Sequence, residues 1–174
     1  MDVDPQVAET VERLALALGA RGAMLATAES CTGGLVAAAC TSLAGSSTWF
    51  ERGIVSYSNA AKTELLGVAA DLIDGHGAVS AEVARAMAEG ALHASPARFA
   101  VAITGVAGPG GGTSAKPVGT VWLAVCERGS TARATLLQAS GDRTAIRVRA
   151  VARALELALE AVLDTAAPAG EPRR

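Results

Sequence analysis

The chain has 174 residues, 51% of them apolar and 18% charged, with a formal net charge of −2 at pH 7. That length suits one domain with a substantial buried core, and the slight acidity with only 3% aromatic residues supplies neither the basic footprint nor the stacking platforms of a nucleic-acid-binding surface. Cys31, Cys40 and Cys126 match no zinc-ligand spacing, the acidic N-terminus lacks the basic region of a signal peptide, and no apolar stretch reaches membrane-spanning length, so a cytoplasmic protein with reduced thiols and no membrane contact is expected.

Residues 5–20 are predicted as a helix, because Pro5 suits a first turn and Val7, Val11, Leu14 and Leu18 recur at helical spacing. A short apolar strand is expected over 23–27, then a glycine-rich turn, then a small-residue helix over 35–43. A second strand is expected over 53–57, and Asn59 is the expected cap of a helix over 60–66 closed by Gly67. Ser80 is the expected cap of a helix running to Leu92, with Val83, Met87 and Ala91 as its inner stripe. Residues 99–103 form an apolar run too short for a helix and are predicted as a buried strand. The segment 104–117 is a glycine-rich loop. Two strands over 118–126 and 132–139 are joined by a turn at 127–130, and Asp142 opens a final helix to about Leu163. Residues 1–164 are expected as one domain and 165–174 as a frayed tail. Strands alternating with helices, followed by a hairpin, point to the α/β class: a three-layer α/β/α sandwich with a mixed, partly parallel sheet.

The residues that carry chemistry cluster at the turns. Ser30 stands in Ala28-Glu29-Ser30-Cys31-Thr32-Gly33-Gly34, at the carboxyl end of the first strand, where open α/β sheets bind ligands. Gly33 and Gly34 allow close backbone approach, and amides at the start of the next helix suit an oxyanion or a phosphate. Ser30 is therefore either a nucleophile or a plain helix cap. Cys31 is a rival nucleophile with no histidine near it in sequence, and Thr32 adds a hydroxyl. With Asn59 as cap, Lys62 falls at the third helical position, where a cation opposes the helix dipole. That setting, with burial, lowers the amine pKa and populates a neutral base; the alternative is a solvated surface lysine. Tyr57, the only tyrosine, is a candidate to bridge the two groups or to donate to a leaving nitrogen. His76 and His93 have no metal-ligand or triad company, which strengthens the lysine as base.

Further along, Thr104-Gly105-Val106-Ala107-Gly108 opens a loop reminiscent of a phosphate cradle, without the Walker ending or the following helix. Arg143 sits just inside the last helix, again at the end that disfavours a cation, so it meets either an anionic ligand or Asp142. Carboxylates are scattered and build no metal cage; no metal is expected.

Taken together, the Ser30 and Lys62 segments, Gly77-Ala78-Val79-Ser80, the glycine loop, Lys116-Pro117-Val118-Gly119-Thr120 and Gly141-Asp142-Arg143 with Ile146 and Arg147 resemble the C-terminal domain of the competence/damage-inducible protein CinA, over about residues 5–163. The family includes stand-alone nicotinamide-nucleotide amidohydrolases. The resemblance implies hydrolysis of the carboxamide of nicotinamide mononucleotide, a pyridine nucleotide, to nicotinate mononucleotide and ammonia. It implies Ser30 as nucleophile, Lys62 as base and Tyr57 as assistant, with Cys31, Thr32, Gly33, Gly34, Thr104, Gly105, Ala107 and Gly108 lining the substrate site. Arg143 or Arg147 would meet the phosphate. No organic cofactor is implied, and the small-apolar helix surface suggests a homo-oligomer. Two other activities remain open at this point: a non-catalytic nucleotide-binding role in competence or repair, and cleavage of another small carboxamide.

Overall fold

The computed structural model describes residues 4–165. Helix α1 spans Pro5–Gly19 behind an Asp4 cap whose carboxylate accepts from the Gln6 N–H at 2.9 Å. Strand β1 is Leu25–Glu29, α2 is Leu35–Thr41, β2 is Phe50–Val55, α3 is Asn59–Leu66, α4 is Ala70–His76 and α5 is Ala81–His93. Then come β3 at Phe99–Gly105, β4 at Thr120–Glu127, β5 at Arg133–Gln138 and α6 at Arg143–Asp164. The five strands form one sheet in the order β2-β1-β3-β4-β5. β1 runs parallel to both β2 and β3, while β3–β4 and β4–β5 are antiparallel, so the sheet is mixed, as expected for the α/β sandwich.

Alternation along the strands sorts the side chains into two unlike faces. Phe99, Val101 and Ile103 of β3, with Leu25, Val121 and Leu123, face α1, α2 and α6. Ala100 and Ala102, with Ala26, Ala28 and Ala124, face α5 and its neighbours α3 and α4. Bulk on one face and alanine on the other lets α5 lie close to the sheet. Gly90 marks an equally tight approach of α5 to α3: a Cβ there would sit 2.0 Å from the Leu66 carbonyl oxygen.

The structure shifts several expected boundaries. β1 begins and ends two residues later than predicted, which brings Glu29 inside the strand with every position buried. β2 is an edge strand that starts at Phe50 and stops at Val55, so Ser56 and Tyr57 lie in the loop after it. Ser58, not Asn59, caps α3, its hydroxyl accepting from the Ala61 N–H at 3.0 Å. Helix α4 was not anticipated: its cap Ala69 offers no side-chain acceptor and it carries Gly75, a poor helix former, in its last turn. Ser80 and Asp142 cap α5 and α6 as predicted. Of the expected tail, Thr165 donates its hydroxyl to Glu127 at 2.9 Å; residues 166–174, like the acidic residues 1–3, lie outside the described residues. No described helix is long and apolar enough to cross a membrane.

Candidate active site

β1 and β3 run side by side, and from their carboxyl ends the chain leaves in opposite directions: from β1 towards β2, from β3 towards β4. A crevice opens at such a divergence. Ser30 is the first residue beyond β1, and its N–H donates to the Ile103 carbonyl of β3 at 2.9 Å. Its carbonyl accepts from the Gly33 N–H at 3.0 Å, closing a tight turn. Gly33 and Gly34 complete that turn with φ of 60° and 94°, a conformation that disfavours any side chain. Gly34 is the cap position of α2 and provides no side-chain acceptor. Ser30 does not cap the helix, so that plain structural role falls away.

The acceptor for α2 comes from the strand. Glu29, fully buried, takes the N–H groups of Gly34 (3.0 Å), Val36 (3.1 Å) and Ala37 (2.8 Å) on its two carboxylate oxygens. Gly33 and Gly34 amides are thus engaged within the turn. Those of Cys31 and Thr32 have no protein acceptor among the described residues.

Lys62 is the fourth residue of α3 and the largest fully buried side chain of the described molecule, 1% exposed. Its Nζ lies 3.0 Å from Ser30 Oγ and donates to the Ser56 carbonyl at 2.9 Å. No ion pair among the described residues involves it. Burial pushes its pKa down, with only the neighbouring Cys31 acting the other way. Cys31 itself is buried, and desolvation pushes its thiol up to about 11, outweighing the opposite pull of its own backbone amide, Arg147 and Arg143. At neutral pH the thiol keeps its proton, and burial makes the lysine easier to deprotonate than a free amine. The arrangement favours oxygen over sulfur as nucleophile.

A cleft of about 290 Å³ opens over this pair. Ser30, Cys31, Tyr57, Lys62, Thr104, Gly105, Ala107, Gly108 and Arg143, all singled out in the sequence, line it. Arg143 bridges its mouth, donating to the Gly108 carbonyl at 2.7 Å and to the Tyr57 hydroxyl at 2.8 Å. Tyr57 is 57% exposed and stands at the rim. Because β2 stops early, its hydroxyl meets Arg143 and forms no hydrogen bond with Ser30 or Lys62. Thr104 turns its hydroxyl to the Ala78 carbonyl at 2.8 Å, tying β3 to the segment ahead of α5.

Thr32, Gly33 and Gly34 shape the turn without lining the cleft. Arg147, one turn beyond Arg143 on α6, donates to the Thr32 carbonyl at 2.7 Å and also lies off the cleft. Lys116 reaches the His76 carbonyl at 2.8 Å and does not line it either. Asn59, Ala78 and Val79 line it and were not anticipated. Asn59 was assigned to capping, and with Ser58 and Asn59 adjacent the sequence offers two good caps. A second cavity of about 260 Å³ near the end of α6 holds none of the predicted site residues. No group of three potential metal ligands converges among the described residues.

The sequence pattern of the CinA C-terminal domain matches residues 7–162. The protein named nicotinamide-nucleotide amidohydrolase PncC from Escherichia coli (strain K12) is 51% identical over 156 residues, covering 88% of this chain and 93% of that protein. Its namesake from Enterobacter agglomerans is 51% identical over 143 residues, covering 82% of this chain and 87% of that protein. Among solved structures, the competence/damage inducible protein CihA from Agrobacterium tumefaciens has a TM-score of 0.90 and 44% identity, covering 94% of this chain and 99% of that chain.

Proposed function

The chain belongs to the CinA C-terminal domain family, and from that premise we propose that Ser30 and Lys62 cleave the carboxamide of nicotinamide mononucleotide to give nicotinate mononucleotide and ammonia. The protein is a nicotinamide-nucleotide amidohydrolase, an enzyme acting on a small nucleotide. The observation that carries the mechanism is the 3.0 Å approach of a buried lysine, unpaired with any carboxylate among the described residues, to the hydroxyl on the nucleophile turn.

Neutral Lys62 takes the proton of Ser30 as Oγ attacks the amide carbon. The Ser56 carbonyl holds one N–H of the amine, which aims its lone pair at the hydroxyl. The Cys31 N–H, following the nucleophile and without a protein acceptor among the described residues, receives the developing oxyanion. Lys62 returns the proton to the departing nitrogen and ammonia leaves. The same amine then deprotonates water, which attacks the acyl-serine and restores the hydroxyl. Arg143, whose side chain borders the cleft, is assigned to the phosphate, with Arg147 supporting the turn; Tyr57 acts through its bond to Arg143.

Ser30→Ala is predicted to abolish ammonia release from nicotinamide mononucleotide while leaving the unfolding temperature and nucleotide binding near those of the parent. Retained turnover would refute the nucleophile. Binding without turnover in the parent protein would instead favour a non-catalytic nucleotide-binding role. We also assign residues 1–164 to one amidohydrolase domain, and the protein to the cytoplasm as a homo-oligomer. Free Cys31, Cys40 and Cys126 support a reducing compartment. Apolar side chains left exposed at Leu16, Leu136, Val148 and Leu163 support self-association.

A further inference from the structure

We infer that Glu29 is the positioning residue of the catalytic turn: by gathering the amides of Gly34, Val36 and Ala37 it fixes Ser30 Oγ and the Cys31 N–H in the orientation that turnover requires. This rests on the Ser30–Lys62 reading above.

Strand alternation puts Leu25, Thr27 and Glu29 on the side of β1 that faces α2. The Glu29 backbone is held on its other flank, its carbonyl accepting from the Ser56 N–H at 2.8 Å. Ser56 is the residue whose own carbonyl holds Lys62. The Glu29 carboxylate reaches forward to the Gly34 amide, so residues 29–34 form a ring of covalent chain closed by one hydrogen bond, with Ser30 directly after the residue that closes it. Arg147 braces the ring from outside at the Thr32 carbonyl. Nucleophile and base are thereby referred to one rigid residue, Ser30 through the ring and Lys62 through Ser56.

The donor set explains why a carboxylate is needed. Three N–H groups converge on two oxygens, and Thr27 Oγ1 lies 3.5 Å from one of them. Every position around the group calls for an acceptor, and only the ionised acid offers acceptors alone. A glutamine in the same shape sets an NH₂ against at least one of the amides. An aspartate is one methylene too short to reach the helix from the strand. No ion pair among the described residues includes Glu29, so its charge is answered by the backbone of α2, the element it orients.

The test is steady-state kinetics of Glu29→Gln with nicotinamide mononucleotide across pH, assayed well below the unfolding temperature of the variant. We expect kcat to fall about 10²-fold, the effect of an ångström-scale displacement of reacting groups. KM should stay within about threefold, and the pH of half-maximal rate should not move, because Lys62 is untouched. A purely structural carboxylate would lower the unfolding temperature and leave kcat of the folded enzyme intact; kcat within about threefold of the parent, or a loss confined to KM, overturns the proposal. Glu29→Asp is the second variant, judged by the same criteria if the glutamine protein does not fold. Failure of both to fold would make Glu29 only a core acceptor and would equally overturn the proposal. If Ser30→Ala is inactive while Glu29→Gln is not, this inference alone fails. If Ser30→Ala is active, the mechanism beneath it fails.

Discussion

Replacing Lys62 by methionine separates a catalytic lysine from a structural one. The substitution keeps the length of the side chain and removes the amine 3.0 Å from Ser30 Oγ. A general base contributes about 10²–10⁴ to rate, or about 3–5 kcal/mol of barrier, and ammonia release should fall by that factor. Stability should respond differently. The Ser56 carbonyl loses its donor, a cost of about 1–3 kcal/mol, while the molecule no longer has to bury an amine, 1% exposed, that is charged in the unfolded chain and must be buried as a cation or neutralised on folding. The two effects oppose one another, so the variant should unfold near the parent temperature at neutral pH. The sign of the pH dependence follows from the lowered pKa of Lys62. Below its folded value the native state carries the buried ammonium in full. Between that value and the ordinary lysine pKa of about 10.4 the unfolded chain binds a proton that the native state does not, so the parent gains stability as pH rises. Methionine cannot titrate, and its advantage over the parent should therefore shrink as pH rises through this window. Thermal unfolding of both proteins across pH, with an ammonia assay at each point, tests the catalytic and the stability effect together. More than about a tenth of parental turnover in Lys62→Met, or a loss beyond about 3 kcal/mol of stability, would refute it. Lys62→Arg should not recover activity, because a guanidinium stays protonated.

Two further outcomes follow from the same geometry. Cys31→Ala should keep turnover within about tenfold of the parent, since burial holds the thiol pKa near 11 and little thiolate exists at neutral pH; an inactive alanine variant would shift the nucleophile to sulfur. Arg143→Met removes the bridge between Gly108 and Tyr57 and should raise KM by about 10–10²-fold, the range for a charged hydrogen bond, with a smaller change in kcat. An unchanged KM would remove Arg143 from the phosphate.

What the sequence revealed depended on whether the signal was local. Lys62 was legible because a cation in a first helical turn works against the dipole, and exchanging the cap from Asn59 to Ser58 still leaves it in that turn. Glu29 was not. A carboxylate two residues past the expected strand 23–27 reads as part of the turn, and what permits its burial is a set of amides five to eight residues onward, visible only once α2 has folded back. Arg143 and Arg147 share a helix face at a spacing of four, so only tertiary structure decides which one reaches the cleft and which one the Thr32 carbonyl. The start of β2 was hidden by Glu51 and Arg52, charges that an edge strand with one open side tolerates. Tyr57 was read as the end of that strand, and its rim position follows from where the strand stops.

The unequal faces of the sheet bear on how this enzyme can be reshaped. Lys62 is carried by a helix packed on α5, and α5 rests on alanines with no slack beneath them. Enlarging Ala102 or Ala28 to valine is expected to wedge that layer outward and take the amine with it, an effect on turnover from the interior. The opposite face, built from Leu25, Val101, Ile103 and Leu123 against α1 and α6, can exchange bulk among its own members with less effect on the helix that carries Lys62. Substitutions on the alanine side are expected to reach the site through α5 and α3, those on the bulky side through α6, which carries Arg143.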